Sequence, residues 1–331
     1  MLFKQKDILS IAQFDCENIQ YLFHIVKKMQ YYIQNNMGFK VLDGAILNNL
    51  FFESSTRTRL SFASAFYRLG GKVMETTDQK ISALNKGETI ADTAKITGFY
   101  SDIIVMRHPQ AFSVNTFAEH TNIPVINAGD GDNEHPTQAL LDLYSIYSLL
   151  PEQKIEHFKI AFIGDLKYSR TVHSLLQLLN LFNHIEIILI SPNALSLPEF
   201  YTKKLTNLTH KITIDTNMYP HLNDVDFIYM TRIQEERFAS KEEAKKYQGQ
   251  YVLNQRTIKQ YCKKHSYILH PLPRNGHLTE CEISTDLNQS SHLYIFQQAY
   301  NGLLVRMALF CCLFNVENLL EQYTYHLSWK K

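Results

Sequence analysis

The sequence predicts an α/β protein of two domains, each a parallel sheet covered by helices on both faces. Three observations lead there. The chain has 331 residues, about twice an ordinary domain. A short apolar run, a polar loop and a segment of helical periodicity recur in that order. The runs are also almost continuously apolar, which suits strands hidden on both faces rather than on one.

Each element follows from its own residues. AILNNLFF (45–52) reads as a strand, ESSTRTR (53–59) as the loop after it, and LSFASAFYRL (60–69) as a helix. DIIVMR (102–107) is a second strand followed by a polar segment. PVINAG (124–129) is a third, followed by DGDNEHPTQ (130–138) and the helical ALLDLYSIYSLL (139–150). Further on come FKIAFIGD (158–165), a helix near 171–181, and the strands HIEIILIS (184–191), KITI (211–214), DFIYMTR (226–232) and YILHPLPR (267–274). All these runs are too short for helices. A strongly apolar helix over roughly 292–315 comes last, and the sequence does not decide which domain it joins. Pro151 and the charges of LLPEQKIEHF (149–158) break the pattern, so the domain change is expected along the helix just before, at about 137–150.

Composition excludes several functions. Hydrophobic residues make up 45% and charged residues 20%, globular values well outside the disordered range. The net charge of +1 gives no basic excess to coat nucleic acid or a membrane surface. No apolar run is long enough to span a bilayer, and the start MLFKQKDILS lacks the apolar stretch of a secretory signal. Cys16, Cys262, Cys281, Cys311 and Cys312 form neither CxxC nor any zinc spacing, which fits a reducing compartment. A cytoplasmic protein without metal, nucleic-acid or membrane partners is expected.

Arginine placement points to an anionic ligand. Only ten of the 33 basic residues are arginine, and six of them (Arg57, Arg59, Arg107, Arg170, Arg232 and Arg274) follow expected strands. Open α/β sheets bind ligands beyond the carboxyl ends of their strands. A fixed guanidinium fork suits phosphate or carboxylate better than lysine does. Ser55-Thr56-Arg57-Thr58-Arg59 both ends a loop and opens a helix, so hydroxyls, backbone N–H groups and Arg57 can converge on one phosphate. Taken alone, such a start is ordinarily just an N-cap. GxxxxGK, GxGxxG, HExxH and GxSxG are all absent, which removes nucleotide hydrolysis, dinucleotide binding, zinc proteolysis and nucleophile-elbow hydrolysis. His135, on the same rim as Arg107, is a candidate carbonyl polariser or acid/base.

These motifs together carry a resemblance. FFESSTRTRLSF (51–62), MRHPQ (106–110), NAGDGDNEHPTQALLDL (127–143), GDLKYSRTVHSL (164–175), MTRIQEER (230–237), HPLPR (270–274) and FQQAYNGLLVRMALF (296–310) resemble the carbamoyltransferase family over nearly the whole chain. MTRIQ and HPLPR place the likeness on its aspartate carbamoyltransferase branch. The resemblance implies transfer of the carbamoyl group of carbamoyl phosphate to the amine of L-aspartate, the committed step of pyrimidine synthesis, with no cofactor. It implies that Ser55, Thr56, Arg57 and Thr58 hold the phosphate and that Arg107 reaches phosphate and carbonyl. His135 and Thr58 would polarise the carbonyl oxygen. Gln138, with the backbone around Pro271 and Leu272 and with Pro273, would orient the carbamoyl group. Arg170, Arg232 and Gln234 would grip aspartate. Ser82 and Lys86, in the loop SALNKGET (82–89), would reach the site of an adjacent subunit, with Lys86 also serving aspartate. A homotrimer is implied, with residues 1–136 plus the helix and tail 296–331 binding carbamoyl phosphate and residues 137–295 binding aspartate. Family pairings would join Glu53 to Arg170 and Arg237, and Glu236 to Arg232.

Two departures stand out. Asn275-Gly276-His277 follow HPLPR where regulated members carry acidic residues, and Ala111-Phe112-Ser113-Val114 replace a small Gly-Ala stretch that contacts a regulatory chain in members that have one. That leaves a regulatory chain an open question. The alternatives are a carbamoyltransferase for another amino acid, such as ornithine, and a non-catalytic paralogue. Arg170 and Arg232 oppose a cationic substrate, and no expected phosphate or carbonyl contact is missing from the sequence.

Overall fold

The computed structural model describes residues 3, 6–76, 87–205, 207–234, 237–238, 240–275 and 281–329. They form two compact units, residues 1–140 with 301–331, and residues 141–300.

The first unit opens with α1 (Cys16–Gln34), whose N-cap Asp15 accepts the Asn18 N–H at 2.7 Å. Ile19, Leu22, Phe23, Val26 and Met29 recur at three- and four-residue spacing and are all buried. There follow β1 (Met37–Phe39), β2 (Ile46–Phe51), α2 (Thr56–Arg68), β3 (Lys72–Thr76), α3 (Ile90–Gly98), β4 (Ile103–His108), α4 (Ser113–Ala118) and β5 (Val125–Asp130). The four-stranded sheet runs β3-β2-β4-β5, parallel throughout. Ile103, Ile104, Val105 and Met106 have no exposure on either face of β4. One face packs Leu50, Ile104 and Met106 against Ala94 of α3 and Val114 and Phe117 of α4.

α5 (Pro136–Leu149) carries the chain into the second unit. There β6 (Glu156–Ile163), α6 (Arg170–Leu179), β7 (Asn183–Ile190), α7 (Glu199–Lys204), β8 (Lys211–Asp215), β9 (Phe227–Met230), α8 (Lys241–Lys245), α9 (Gln255–Tyr261) and β10 (Tyr267–Leu269) follow in turn. The five strands are parallel, in the order β10-β9-β6-β7-β8. Ala161, Ile163, Ile188, Ile190, Ile228 and Met230 build one core face, completed by Ile258 of α9. α10 (Ile295–Phe314) returns the chain to the first unit, where Phe310 meets Phe62 and Phe66 of α2 edge-on at 6.0 and 4.9 Å. β11 (Thr324–His326) then pairs antiparallel with β1.

The expected strands and their helices form as the apolar runs foretell, giving the predicted α/β class with two parallel sheets. Three strands go beyond the sequence reading, as do helices α1, α3, α4, α7, α8 and α9. β3 is an edge strand with its polar side chains half outside, so no apolar run marks it. β1 and β11 are three residues each and pair across nearly the whole chain, a contact that local pattern does not encode.

Candidate active site

Chain order reverses once in each sheet, between β2 and β4 in the first unit and between β6 and β9 in the second. Adjacent strands there send their connections to opposite faces, which opens a crevice beyond their carboxyl ends. Arg57, Arg107, Arg170 and Arg232 sit at or just beyond those ends.

In the first unit, β2 delivers the chain to Ser55, the N-cap of α2. Its hydroxyl makes no bond to the helix, so the ordinary capping role does not account for it. Thr56, Arg57 and Thr58 form the first turn, where the N–H groups lack intrahelical partners and the helix dipole favours an anion. Arg107 is the penultimate residue of the neighbouring strand β4. Its Nη1 donates to the Ala128 carbonyl at 3.3 Å, and its Nε lies 2.9 Å from the Glu53 carboxylate. The guanidinium is held from two sides with a side chain only 12% exposed. Arg59, by contrast, forms an ion pair with Glu75 of β3. That pairing removes it from the set of arginines expected to face the ligand.

His135 closes the β5–α5 connection and caps α5, its carbonyl accepting the Gln138 N–H at 3.0 Å and the Ala139 N–H at 3.3 Å. It is 4% exposed, so the histidine that the sequence places on the rim is buried. Buried Asp130 organises this end of the sheet. It accepts the Phe112 N–H at 2.9 Å, the Asn127 Nδ2 at 2.9 Å and the Asn133 Nδ2 at 3.0 Å, tying the β4–α4 loop to the β5–α5 loop. Glu134 braces the same loop by accepting the Ser10 hydroxyl at 2.7 Å and the Ile11 N–H at 2.8 Å. Phe112, in the departing segment 111–114, is 63% exposed and takes a left-handed φ of 63° ahead of α4.

In the second unit β6 ends at Ile163 and is followed by Gly164, with φ +119°. A Cβ there would lie 2.4 Å from the Thr231 carbonyl oxygen, so only glycine lets the β6 and β9 loops approach this closely. The next residue, Asp165, is fully buried and accepts the Tyr168 N–H at 3.0 Å and the Gln234 N–H at 3.4 Å. One carboxyl group thus fixes the loop that leads into Arg170, the first residue of α6, and the loop carrying Arg232 and Gln234. Burial pushes this carboxyl above its ordinary range, against the pull of those N–H groups and the Arg232 charge.

β10 leads into His270-Pro271-Leu272-Pro273-Arg274, with a cis peptide before Pro273 and φ +60° at Leu272. His270 Nδ1 accepts the Leu272 N–H at 2.8 Å, so the ring proton sits on Nε2, 3.0 Å from Glu282. Burial holds the imidazole below its ordinary pKa, in keeping with a neutral ring. Burial also acts to raise the Glu282 pKa, but the His270 contact and the Asn275 N–H outweigh it and hold it below the usual range. The arginine forks are visible in the sequence. Asp130, Asp165 and Glu282, which brace their loops, are missed there because their partners lie on other strands or loops, and Glu53 is named there only with Arg170 and Arg237, whereas it also pairs with Arg107. Ser82, Lys86, Glu236, Gly276 and His277 lie outside the described residues.

Comparisons with known proteins agree with this geometry. A family model described as "Aspartate/ornithine carbamoyltransferase, carbamoyl-P binding domain" matches residues 6–148. Its companion, the "Asp/Orn binding domain", matches residues 156–313. The chain is 49% identical to the aspartate carbamoyltransferase catalytic subunit of Cellvibrio japonicus, covering 99% of this chain and 98% of that one. With the same protein of Saccharophagus degradans it shares 47% over the same proportions. Among solved structures, aspartate transcarbamoylase from Trypanosoma cruzi in complex with carbamoyl phosphate superposes with a TM-score of 0.87 at 35% identity, covering 94% of this chain and 96% of that one. The catalytic subunit of M. Jannaschii aspartate transcarbamoylase gives a TM-score of 0.84 at 38% identity, covering 96% and 98%. With arginines flanking the reversal point of both sheets and relatives alike from end to end, the chain belongs to the aspartate/ornithine carbamoyltransferase family, on its aspartate carbamoyltransferase branch.

Proposed function

We propose that this chain transfers the carbamoyl group of carbamoyl phosphate to the amine of L-aspartate, giving N-carbamoyl-L-aspartate and phosphate for pyrimidine synthesis. The observation that carries this reading is the placement of Arg57 and Arg107 at the β2/β4 reversal and of Arg170 and Arg232 at the β6/β9 reversal. One pair suits a phosphate and the other a dicarboxylate.

Ser55, Thr56, Arg57, Thr58 and Arg107 bind the phosphate in this reading. The amine attacks the carbonyl carbon, and the carbonyl oxygen gains negative charge that His135, Thr58 and Arg107 stabilise through fixed donors. Collapse of the tetrahedral intermediate expels phosphate with the electrons of the C–O bond, while the amine loses its proton. Gln138, Leu272 and Pro273 orient the carbamoyl group. Arg170, Arg232 and Gln234 hold the two carboxylates of aspartate. Phosphate is already a good leaving group, so positioning and charge stabilisation suffice without a cofactor. Ser82 and Lys86 complete the site of an adjacent subunit in a cytoplasmic homotrimer. The relatives bear the name catalytic subunit, and Phe112 in segment 111–114 marks the surface that a regulatory chain would meet.

A ureido-product assay with carbamoyl phosphate and either aspartate or ornithine tests the reading. Product from aspartate alone is expected. Product from ornithine alone overturns the substrate assignment, and product from neither favours a non-catalytic paralogue. Mass determination in solution separates a trimer from a larger assembly.

A further inference from the structure

The HPLPR loop is held by a buried polar chain that runs beyond His270 and Glu282 to Asp142, Tyr229 and Gln298, which take no part in the site described above. Asp142 of α5 is fully buried, and each of its carboxylate oxygens accepts one bond. Tyr229 of β9 donates its hydroxyl at 2.7 Å, and Gln298 of α10 donates its Nε2 at 2.6 Å. The other end of that same amide, Oε1, accepts the His270 N–H at 2.8 Å. His270 then holds the Leu272 N–H, and Glu282 holds the Asn275 N–H. Three backbone N–H groups within six residues are thus pinned to side chains that are themselves pinned.

The orientation of Gln298 is dictated by chemistry. A carboxylate only accepts and a backbone N–H only donates, so just one setting of the amide satisfies both neighbours. The reverse setting would face oxygen against oxygen and N–H against N–H, in a place where water offers no substitute.

We infer that Asp142 and Gln298 are positioning residues for the carbamoyl-group contacts, acting through His270 on the backbone at Pro271, Leu272 and Pro273. This rests on the role proposed above for Leu272 and Pro273. Asp142 sets the direction of the Gln298 amide, that amide sets the height of His270, and His270 sets the turn at Leu272. The effect belongs to the carbamoyl half of the reaction, because the loops that carry the arginines of the aspartate half are held by other groups, Asp165 among them.

The test exchanges the two ends of the central hydrogen bond. Asp142→Asn removes the acceptor that orients the amide, and Gln298→Glu faces a carboxylate against Asp142. Each single variant should lose on the order of tenfold to a hundredfold in kcat/KM for carbamoyl phosphate, as for small misplacements of a positioning group, with a much smaller change in the aspartate KM. The double variant restores each of these three donor–acceptor pairs. The introduced amide accepts from Tyr229 and donates to the introduced carboxylate, which still accepts the His270 N–H. Its carbamoyl phosphate kcat/KM should return to within about threefold of the parent, a rescue that a purely structural role with unchanged kinetics does not predict.

Thermal midpoints are recorded alongside. If a single variant does not fold, the double variant carries the decision. A double variant that fails to fold, or that folds without regaining turnover, overturns the inference. Single variants that lose thermal stability but keep the parent kcat/KM overturn it as well. Parent enzyme turning over aspartate while the exchange fails strikes only the positioning role, whereas an inactive parent strikes the proposed reaction itself.

Discussion

Replacing Arg107 with alanine separates two jobs done by one side chain. The guanidinium holds Glu53 at 2.9 Å and the Ala128 carbonyl at 3.3 Å, and in the proposed reaction it also meets the phosphate and carbonyl of the substrate. Removing one partner of a fully buried ion pair costs ~3–5 kcal/mol, but Glu53 is 32% exposed and water screens what remains, so about 1–2 kcal/mol is expected here. The lost bond to Ala128 adds about 1 kcal/mol, for a total of about 2–3 kcal/mol. In a cooperative unit of about 170 residues this lowers the thermal midpoint by about 4–12 °C. Catalysis should fall further, because removing one preorganised donor to a developing oxyanion costs ~3–4 kcal/mol, a factor of about a hundred to a thousand in kcat. The decisive assay adds Glu53→Gln to Arg107→Ala. Neutralising the carboxylate should recover much of the thermal midpoint and none of the turnover. Recovery of turnover as well would show that Arg107 acts only by restraining Glu53, and the catalytic assignment would fall.

Further outcomes follow from other parts of the structure. His270 has a folded pKa depressed below 6.5, so the unfolded chain binds the extra proton first and stability falls as pH drops below about 6.5. Urea midpoints should decline between about pH 6.5 and 5, and His270→Gln should flatten part of that slope; an unchanged slope would contradict a neutral buried ring. Gly164→Ala should shift the Thr231 backbone, raise the aspartate KM and cost at least about 2 kcal/mol of stability, and a variant with parent-like KM and urea midpoint would refute the close approach. If Lys86 serves a neighbouring subunit while Arg57 serves its own, Arg57→Ala and Lys86→Ala are each nearly inactive alone. Randomly reassembled in equal amounts, they should regain roughly a quarter of parent activity; no gain after proven subunit exchange would eliminate the shared site.

The local sequence settles a good part of this protein. Short, wholly apolar runs can only be strands covered on both faces, and Ile103 to Met106 meet that description with no exposed surface. Ser55-Thr56-Arg57-Thr58 mark a helix start suited to an anion because a first turn lacks internal partners for its N–H groups wherever it occurs. α1 carries an equally legible three-and-four spacing that the reading passed over. Other matters were decided by chain segments far apart in sequence. Arg57 and Arg59 are two residues apart and chemically alike, yet Arg59 is neutralised by Glu75 because β3 lies beside β2. His135 reads as a rim residue of a polar loop, but packing leaves it only 4% exposed. Strand order, set by which strands pair across long stretches of chain, places the arginines at the two reversal points. It also gathers Asp142, Tyr229, His270, Glu282 and Gln298 from five elements or loops into one polar chain. A residue's propensity and period are properties of its neighbours in sequence. The partner of a buried charge is a property of the packed core, where a donor without an acceptor costs too much to persist.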